Sequence, residues 1–459
     1  MKLIFGIHDK PKLPQLIVFA IQQLLAIMAA TLVVPVIIEG ETGLPLSPAA
    51  ALFGAGCGTL VYILFTKGKS PVFLGSSFAF INSMIAAVAG AATAGLGYLG
   101  LVLGAIMAGL VYVVIAVIVK FAGVNWLNKL MPTVVIGPTV AIIGLSLAGN
   151  AVGDTQLGEV VNAEGAAVAS PLICILIAVI TLIATTVAST YGKKMAKLIP
   201  FIIGIGCGYA VAVIFTVIGN IAGIDALKVI DFGYFSALLT DGKVTLATFF
   251  SVPQFVGFKA LGSFSEINGA YIGTLVAAYV PVAFVVFAEH IADHKNISSI
   301  IEKDLLEDPG LSRTLLGDGV GSMVGAFFGA CPNTTYGESV ACVAITGNAS
   351  VATIIATAVG AILISFLSPF VAIVDSIPPC VMGGVCIALY GFIAVSGLKM
   401  IQKVDLEENR NLFVVSTILI CGIGGLTLNF GQVTITSIAT ALVLGIIVNL
   451  VLGKKAKEN

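Results

Sequence analysis

Two stretches hold most of the chemistry this sequence offers. The first is Ala330-Cys331-Pro332-Asn333-Thr334-Thr335-Tyr336-Gly337-Glu338-Ser339, which sets a carboxylate, an amide and several hydroxyls between two strongly apolar runs. Pro332 and Gly337 predict extended chain up to about Thr335 and a short helix from about Gly337, with Glu338 in its first turn. A half-helix that begins at membrane depth aims unpaired N–H groups and the positive end of its dipole into the space before it. Irregular backbone at that depth is tolerated only where protein or a water-filled cavity satisfies its polar groups. Such a segment reads as a binding site for a small polar solute.

The second stretch is Tyr279 to His294, where Glu289 follows an uncharged apolar run and Asp293 comes one turn later on the same helical face. An ionisable side chain at the centre of a bilayer costs at least about 2.5 kcal/mol, so Glu289 in a span is a functional candidate by default. A carboxylate there suits a carrier that loads and releases a proton, with Asp293 and His294 as candidates for the same relay. His290 and His294 have the spacing of a zinc pair, but Ile291 stands where a metalloprotease needs its glutamate, and no third ligand is apparent, so no metal site is expected. No Ser/His/Asp set and no phosphate-cradling loop is present. The reading is of a transporter, not an enzyme, with no cofactor beyond a coupling proton.

The elements that must position these residues are membrane helices. Of 459 residues 58% are hydrophobic and 10% charged, with mean hydropathy +1.11, whereas a soluble domain carries roughly 25% charged residues. A net charge of −1 offers no general attraction for nucleic acid. The cysteines fall mostly within apolar runs and form no C-x-x-C pair, which reads as buried inert thiols. Apolar runs long enough to span predict an all-α polytopic protein with fourteen spans. Seven lie near 15–38, 46–65, 71–89, 97–119, 131–149, 171–190 and 198–222; seven more lie near 271–291, 312–330, 336–347, 350–374, 379–397, 411–428 and 432–452.

With both termini cytoplasmic, 19 of the 22 Lys and Arg fall on the inside, and only Lys228, Lys243 and Lys259 lie outside. The long outside connection divides the chain into a first half at 1–222, a loop at 223–270 and a second half at 271–459. Because seven is odd, the second half enters from the opposite side, giving an inverted repeat. Spans three and ten, the third of each half, are both broken by Pro and Gly, at Gly68 to Phe78 and at Pro332 to Gly337. Paired interruptions of this kind point to a transporter site at the midplane. Carboxylates, half-helix amides and the aromatic residues Phe78 and Tyr336 together suit a flat solute with donors, acceptors and two π-faces, such as uracil.

Pro332-Asn333-Thr334-Thr335-Tyr336-Gly337-Glu338, Ala288-Glu289-His290 and the run Lys303 to Leu311 resemble the uracil branch of the nucleobase–ascorbate transporter (nucleobase:cation symporter-2) family, over essentially the whole chain. The resemblance implies a core domain of spans one to four and eight to eleven, a gate domain of spans five to seven and twelve to fourteen, and a homodimer in the cytoplasmic membrane. It implies proton-coupled import of uracil by alternating access, with Glu289, Glu338, the Gly337 amide, Tyr336 and Phe78 around the base and Tyr390 on the gate side. Purine permeases for xanthine or urate, and more distantly anion transporters of the same fold, are the alternatives. The chain departs from the family signature at Ser339 and Ala341, where Asn and Gly are usual, and carries Asp293 where uracil carriers can have His.

Overall fold

The computed structural model describes residues 3–123, 131–162, 166–193, 195–240, 242–430 and 433–455. Lys2, Lys129, Lys194 and Lys457, which entered the charge reading, lie outside the described residues. The first half contains α1 (Leu13–Thr42), α2 (Pro48–Phe65), β1 (Leu74–Ser76), α3 (Ile81–Ala89), α4 (Ala94–Ala122), α5 (Thr133–Ser146), α6 (Ala148–Asp154), α7 (Pro171–Tyr191) and α8 (Pro200–Ala222). A connector with short turns, among them α9 (Val256–Ala260), leads to α10 (Gly269–Ile301), α11 (Leu311–Gly329), β2 (Asn333–Thr335), α12 (Gly337–Thr346), α13 (Val351–Ile364) and α14 (Ser368–Asp375). The chain closes with α15 (Pro379–Ile401), α16 (Asn409–Ile423), β3 (Leu428–Phe430), β4 (Val433–Ile435) and α17 (Ser437–Lys455).

Among the described residues eight helices are long and apolar enough to cross a membrane, and five shorter apolar ones accompany them. Several sequence boundaries need correction. The expected fifth span continues through α6 to Asp154, and the expected eleventh is two helices, α13 and α14. The thirteenth stops at Ile423, where Gly424 and Gly425 precede β3, and the fourteenth begins as strand β4 before α17. The eighth runs past its expected end at 291 to Ile301, so Glu289, Asp293 and His294 all sit inside one helix. The all-α reading is amended by two antiparallel ladders, β1 with β2 and β3 with β4.

Packing is densest within two groups: α1 to α4 with α10 to α14, and α5 to α8 with α15 to α17. At the centre of the first group α2 and α11 lie backbone to backbone. A Cβ on Gly58 would stand 2.6 Å from the Gly321 carbonyl, and one on Gly321 would stand 2.6 Å from the Gly58 carbonyl; Gly54 meets Gly325 in the same way one turn along. This is a doubled small-xxx-small seam, in which the absence of side chains lets two membrane helices approach closely. The seam also seats β2, because Asn333 Nδ2 donates to the Gly54 carbonyl at 3.3 Å.

Gly321→Val is therefore expected to force the two helices apart at a cost of about 1–3 kcal/mol or more. Thermal unfolding in detergent should show a midpoint several degrees below wild type, and loss of monodisperse protein if the seam cannot open. An unchanged midpoint would mean that the contact yields freely.

Candidate functional site

The site is built where the two broken spans meet. β1 and β2 pair antiparallel, with Leu74 opposite Thr335, Gly75 opposite Thr334 and Ser76 opposite Asn333. The ladder is extended by Ser77 N–H donating to the Pro332 carbonyl at 2.9 Å and Tyr336 N–H donating to the Phe73 carbonyl at 3.2 Å. Side chains satisfy the rest: Leu74 N–H donates to Thr59, Phe73 N–H to Ser339 and Asn333 N–H to Ser322, all at 2.9–3.0 Å. Each strand ends at a helix start, the turn at Phe78–Phe80 leading into α3 after β1, and α12 after β2. The extended chain to Thr335 and helix from Gly337 agree with the sequence reading.

No N-cap side chain bonds the start of α12, whose N-cap is Tyr336; within its first turn the Glu338 carboxylate accepts from its own backbone N–H. Gly337 is exposed and Glu338 half-buried. From α10, Glu289 is solvent-accessible and lies within electrostatic reach of Glu338. Asp293 is buried beside them: its carboxylate accepts from Thr335 Oγ1 at 2.9 Å, and its Oδ1 is 3.8 Å from where a Cβ on Gly337 would stand. The accessible face runs Glu289, Ala292, Asn296 along α10 and Gly337, Ala341, Ile345 along α12. On both helices the exposed positions thus run from the strand crossing toward the helix C-terminal ends, and at the end of α12 the Gly347 carbonyl accepts from the N–H of Ile4 at 2.7 Å.

Phe78 is half-buried and packs edge-on against the buried Tyr390 of α15, with ring centroids 6.1 Å apart. This aromatic pair joins the two packing groups beside the strand crossing. Tyr336, expected beside the solute, is 4% exposed; its hydroxyl donates to the Ser76 carbonyl at 2.7 Å and its ring covers Gly75, where a Cβ would collide with it. It clamps the ladder. His294 is turned away from Glu289: Nδ1–H donates to the His290 carbonyl at 2.8 Å, and Nε2 meets the Tyr62 hydroxyl of α2 at 2.7 Å.

Sequence reasoning missed the partner that holds this face. Asp318, fully buried on α11, has Oδ2 2.6 Å from His290 Nδ1 and 3.4 Å from Thr334 Oγ1, while His290 Nε2 is 3.0 Å from Thr314 Oγ1. The signal was present, since Gly317-Asp318-Gly319 puts an acid inside an apolar run. Gln23 of α1 is buried and donates to Ser339 Oγ at 2.6 Å. Ser339 therefore ties α1, the β1 segment and α12 together and does not face the accessible space.

A cavity of about 900 Å³ opens at the other end of the molecule, lined by Glu39, Glu41, Asp154, Glu159 and Asp375. A small apolar pocket of about 20 Å³, lined by Ala29, Leu32, Ile205 and Met382 among others, adjoins it through the shared residues Val36, Val374, Ile377 and Met382. Burial pushes Glu159 up from its ordinary value, opposed by the bond donated from Tyr234 at 2.9 Å, and burial pushes Asp375 up to about 6.

Residues 14–431 match the family model described as "Permease family". The chain is 38% identical to the uracil permease of Bacillus caldolyticus, covering 98% of this chain and 95% of that one. It is 35% identical to those of Bacillus subtilis, covering 100% and 97%, and Escherichia coli K12, covering 97% and 93%. Among solved structures, the transmembrane domain of a cyanobacterial bicarbonate transporter, BicA, matches with a TM-score of 0.62 at 14% identity, covering 97% of this chain and all of that one. The murine anion transporter Slc26a9 in its inward-facing state matches with a TM-score of 0.63 at 12% identity, covering 98% and 69%. At these identities the solved structures speak to the fold alone.

The acidic cavity has a pH signature. Asp375 holds its proton more tightly in the folded chain than in the unfolded one, so its contribution makes stability fall as pH rises from about 4 to about 6 and stay low above. Asp375→Asn removes that cost. Its melting temperature in detergent should exceed wild type by a few degrees at pH 8 and match it near pH 4. Equal melting temperatures at both pH values would refute the assignment.

Proposed function

The chain belongs to the permease family, and from that premise we propose that it is a proton-coupled symporter that carries uracil into the cell by alternating access. The observation that carries this reading is the meeting of two accessible carboxylates, Glu289 and Glu338, with the start of α12 at the crossing of two broken spans. Uracil offers two N–H donors to carboxylate acceptors, carbonyl acceptors to half-helix amides, and two π-faces to the Phe78–Tyr390 pair. The relatives named uracil permease favour that substrate over xanthine or urate. An anion substrate would call for a basic site, and neither broken span, 71–89 or 336–347, contains Lys or Arg.

In the mechanism we propose, Glu289 and its neighbour Asp293 take up the coupling proton, which lets the pair of acids share one cavity with a neutral base bound. Glu338 and the Gly337 amide hold the base. Tyr336 stabilises the strand crossing that aims them, and His294 supports the helix behind Asp293. The loaded group then moves past the other, and the base and proton leave toward the cytoplasm. The two packing groups support a division into core and gate domains, and the antiparallel pairing of β1 with β2 and of α2 with α11 supports fourteen spans arranged as two inverted repeats. Exposed Glu289 and Gly337 near the strand crossing, with a separate acidic cavity at the opposite end, support alternating access to the two sides. Cytoplasmic termini, a place in the cytoplasmic membrane and a homodimer complete the reading.

Uptake of labelled uracil into proteoliposomes, with and without an inward proton gradient, tests it. Wild type is expected to accumulate uracil only with the gradient and to resist excess xanthine. Glu338→Gln weakens a charge-assisted hydrogen bond and should lower uracil affinity roughly 10- to 100-fold. Glu289→Gln should abolish gradient-driven accumulation. Accumulation by Glu289→Gln equal to wild type would remove that residue from coupling, and competition by xanthine would move the substrate to purines.

A further inference from the structure

The connector ahead of α10 holds a segment, Phe249–Phe264, that has two unlike faces. Its inner face is buried on the first packing group. Val256 and Ala260 are 1% and 2% exposed, a Cβ on Gly257 would stand 2.5 Å from the Phe327 ring of α11, and Phe255 packs against Phe53 of α2 and Phe328 with centroids 4.7 and 5.3 Å away. Backbone bonds fasten its start to the turn before α14, with Ser251 N–H donating to the Phe366 carbonyl and Ser368 N–H to the Phe249 carbonyl, both at 3.0 Å.

The outer face is a row of large apolar side chains left uncovered: Phe249, Phe250, Val252, Phe258, Leu261 and Phe264 are 50–72% exposed. Lys259 is the single charge between Val244 and Ser265, and it is drawn inward, 4.8 Å above the Tyr98 ring and 2.7 Å from Gln254 Oε1. An outer face this apolar is unsuited to water.

What covers it follows from the surface it continues. On α13, Ile355, Val359 and Leu363 are exposed at four-residue spacing, and Leu367 extends the same stripe. This is the side a membrane helix turns to lipid. Phe250 forms an isolated antiparallel bridge with Leu367, so the connector's apolar row joins the end of the lipid-facing stripe without a break. We infer that Phe249–Phe264 lies in the plane of the bilayer surface opposite the chain termini, with its aromatic row sunk among phospholipid headgroups and the first acyl carbons. Segments with one polar or protein-bound side and an aromatic, apolar other side take this position. Seated on α2, α4 and α11, the segment holds the packing group that carries Glu289 and Glu338 at a set depth in the membrane.

The chain's single Trp is Trp126, which makes the test direct. Phe258→Trp, and separately Leu261→Trp, are placed in a Trp126→Phe background that retains transport, and each is reconstituted in phosphatidylcholine vesicles. Phosphatidylcholine brominated near the headgroup end of its chains should remove most of the tryptophan emission, chains brominated near their tips should remove less, and aqueous iodide should have little effect. Strong iodide quenching with no bromolipid effect would put the segment in water and overturn the inference. Emission insensitive to both quenchers would mean that a second copy of the chain covers the face, which overturns it equally.

Discussion

The structure depends on satisfying backbone that a membrane would otherwise leave bare. Two apolar segments are interrupted by short extended stretches, β1 and β2, and within hydrocarbon every orphaned N–H or carbonyl costs several kcal/mol. The chain resolves this by crossing the two interruptions, so that each becomes the other's hydrogen-bonding partner in the β1–β2 ladder. The requirement propagates outward. The crossing needs α2 and α11 close behind it, which needs their glycine seam, and it needs Tyr336 lying over Gly75, which leaves no room for a side chain there. Binding groups are a by-product of the same solution, since each strand must end at a helix start that points its amides into the remaining space.

The polar residues around this crossing divide by what they touch. Glu289 is exposed and Glu338 half-buried, as the proposed binding of a solute requires. Asp318, His290, Thr314 and Thr334 are buried and bonded to one another. They fix the rotation of α10 against α11 and hence the direction in which Glu289 points. Ser339 with Gln23 does the same for α12 against α1. A departure from the family signature at Ser339 therefore acts on the frame of the site, while Ala341, on the accessible face, is the departure that a solute would meet.

Much of this was legible in the sequence because membrane physics writes strong signals. Long apolar runs, the lysine and arginine bias and paired Pro/Gly interruptions follow from the cost of placing charge and unpaired backbone in lipid, and each can be read one residue at a time. They were enough to set the membrane class, the extended chain before the helix at Gly337, and Glu289 and Glu338 as the residues of interest. The errors arose where a single run hides two elements: α13 and α14 read as one span because the break at Ser365–Leu367 contains no proline or glycine, and the strand β4 disappeared into the apolar run of α17.

What only the tertiary structure decided was which side of a helix each polar residue serves. Tyr336 read as a wall of the solute site, His294 as part of a proton relay and Ser339 as a departure from the family signature, and the structure shows which neighbour each one bonds, in the case of Ser339 a residue as distant in the chain as Gln23. Asp318 passed without notice because its partner, His290, is on another helix. A sequence determines that a polar group in the membrane must be satisfied, since that cost depends on the residue and its depth. Whether protein or solute satisfies it depends on which helices pack together, and that is fixed by contacts between distant parts of the chain.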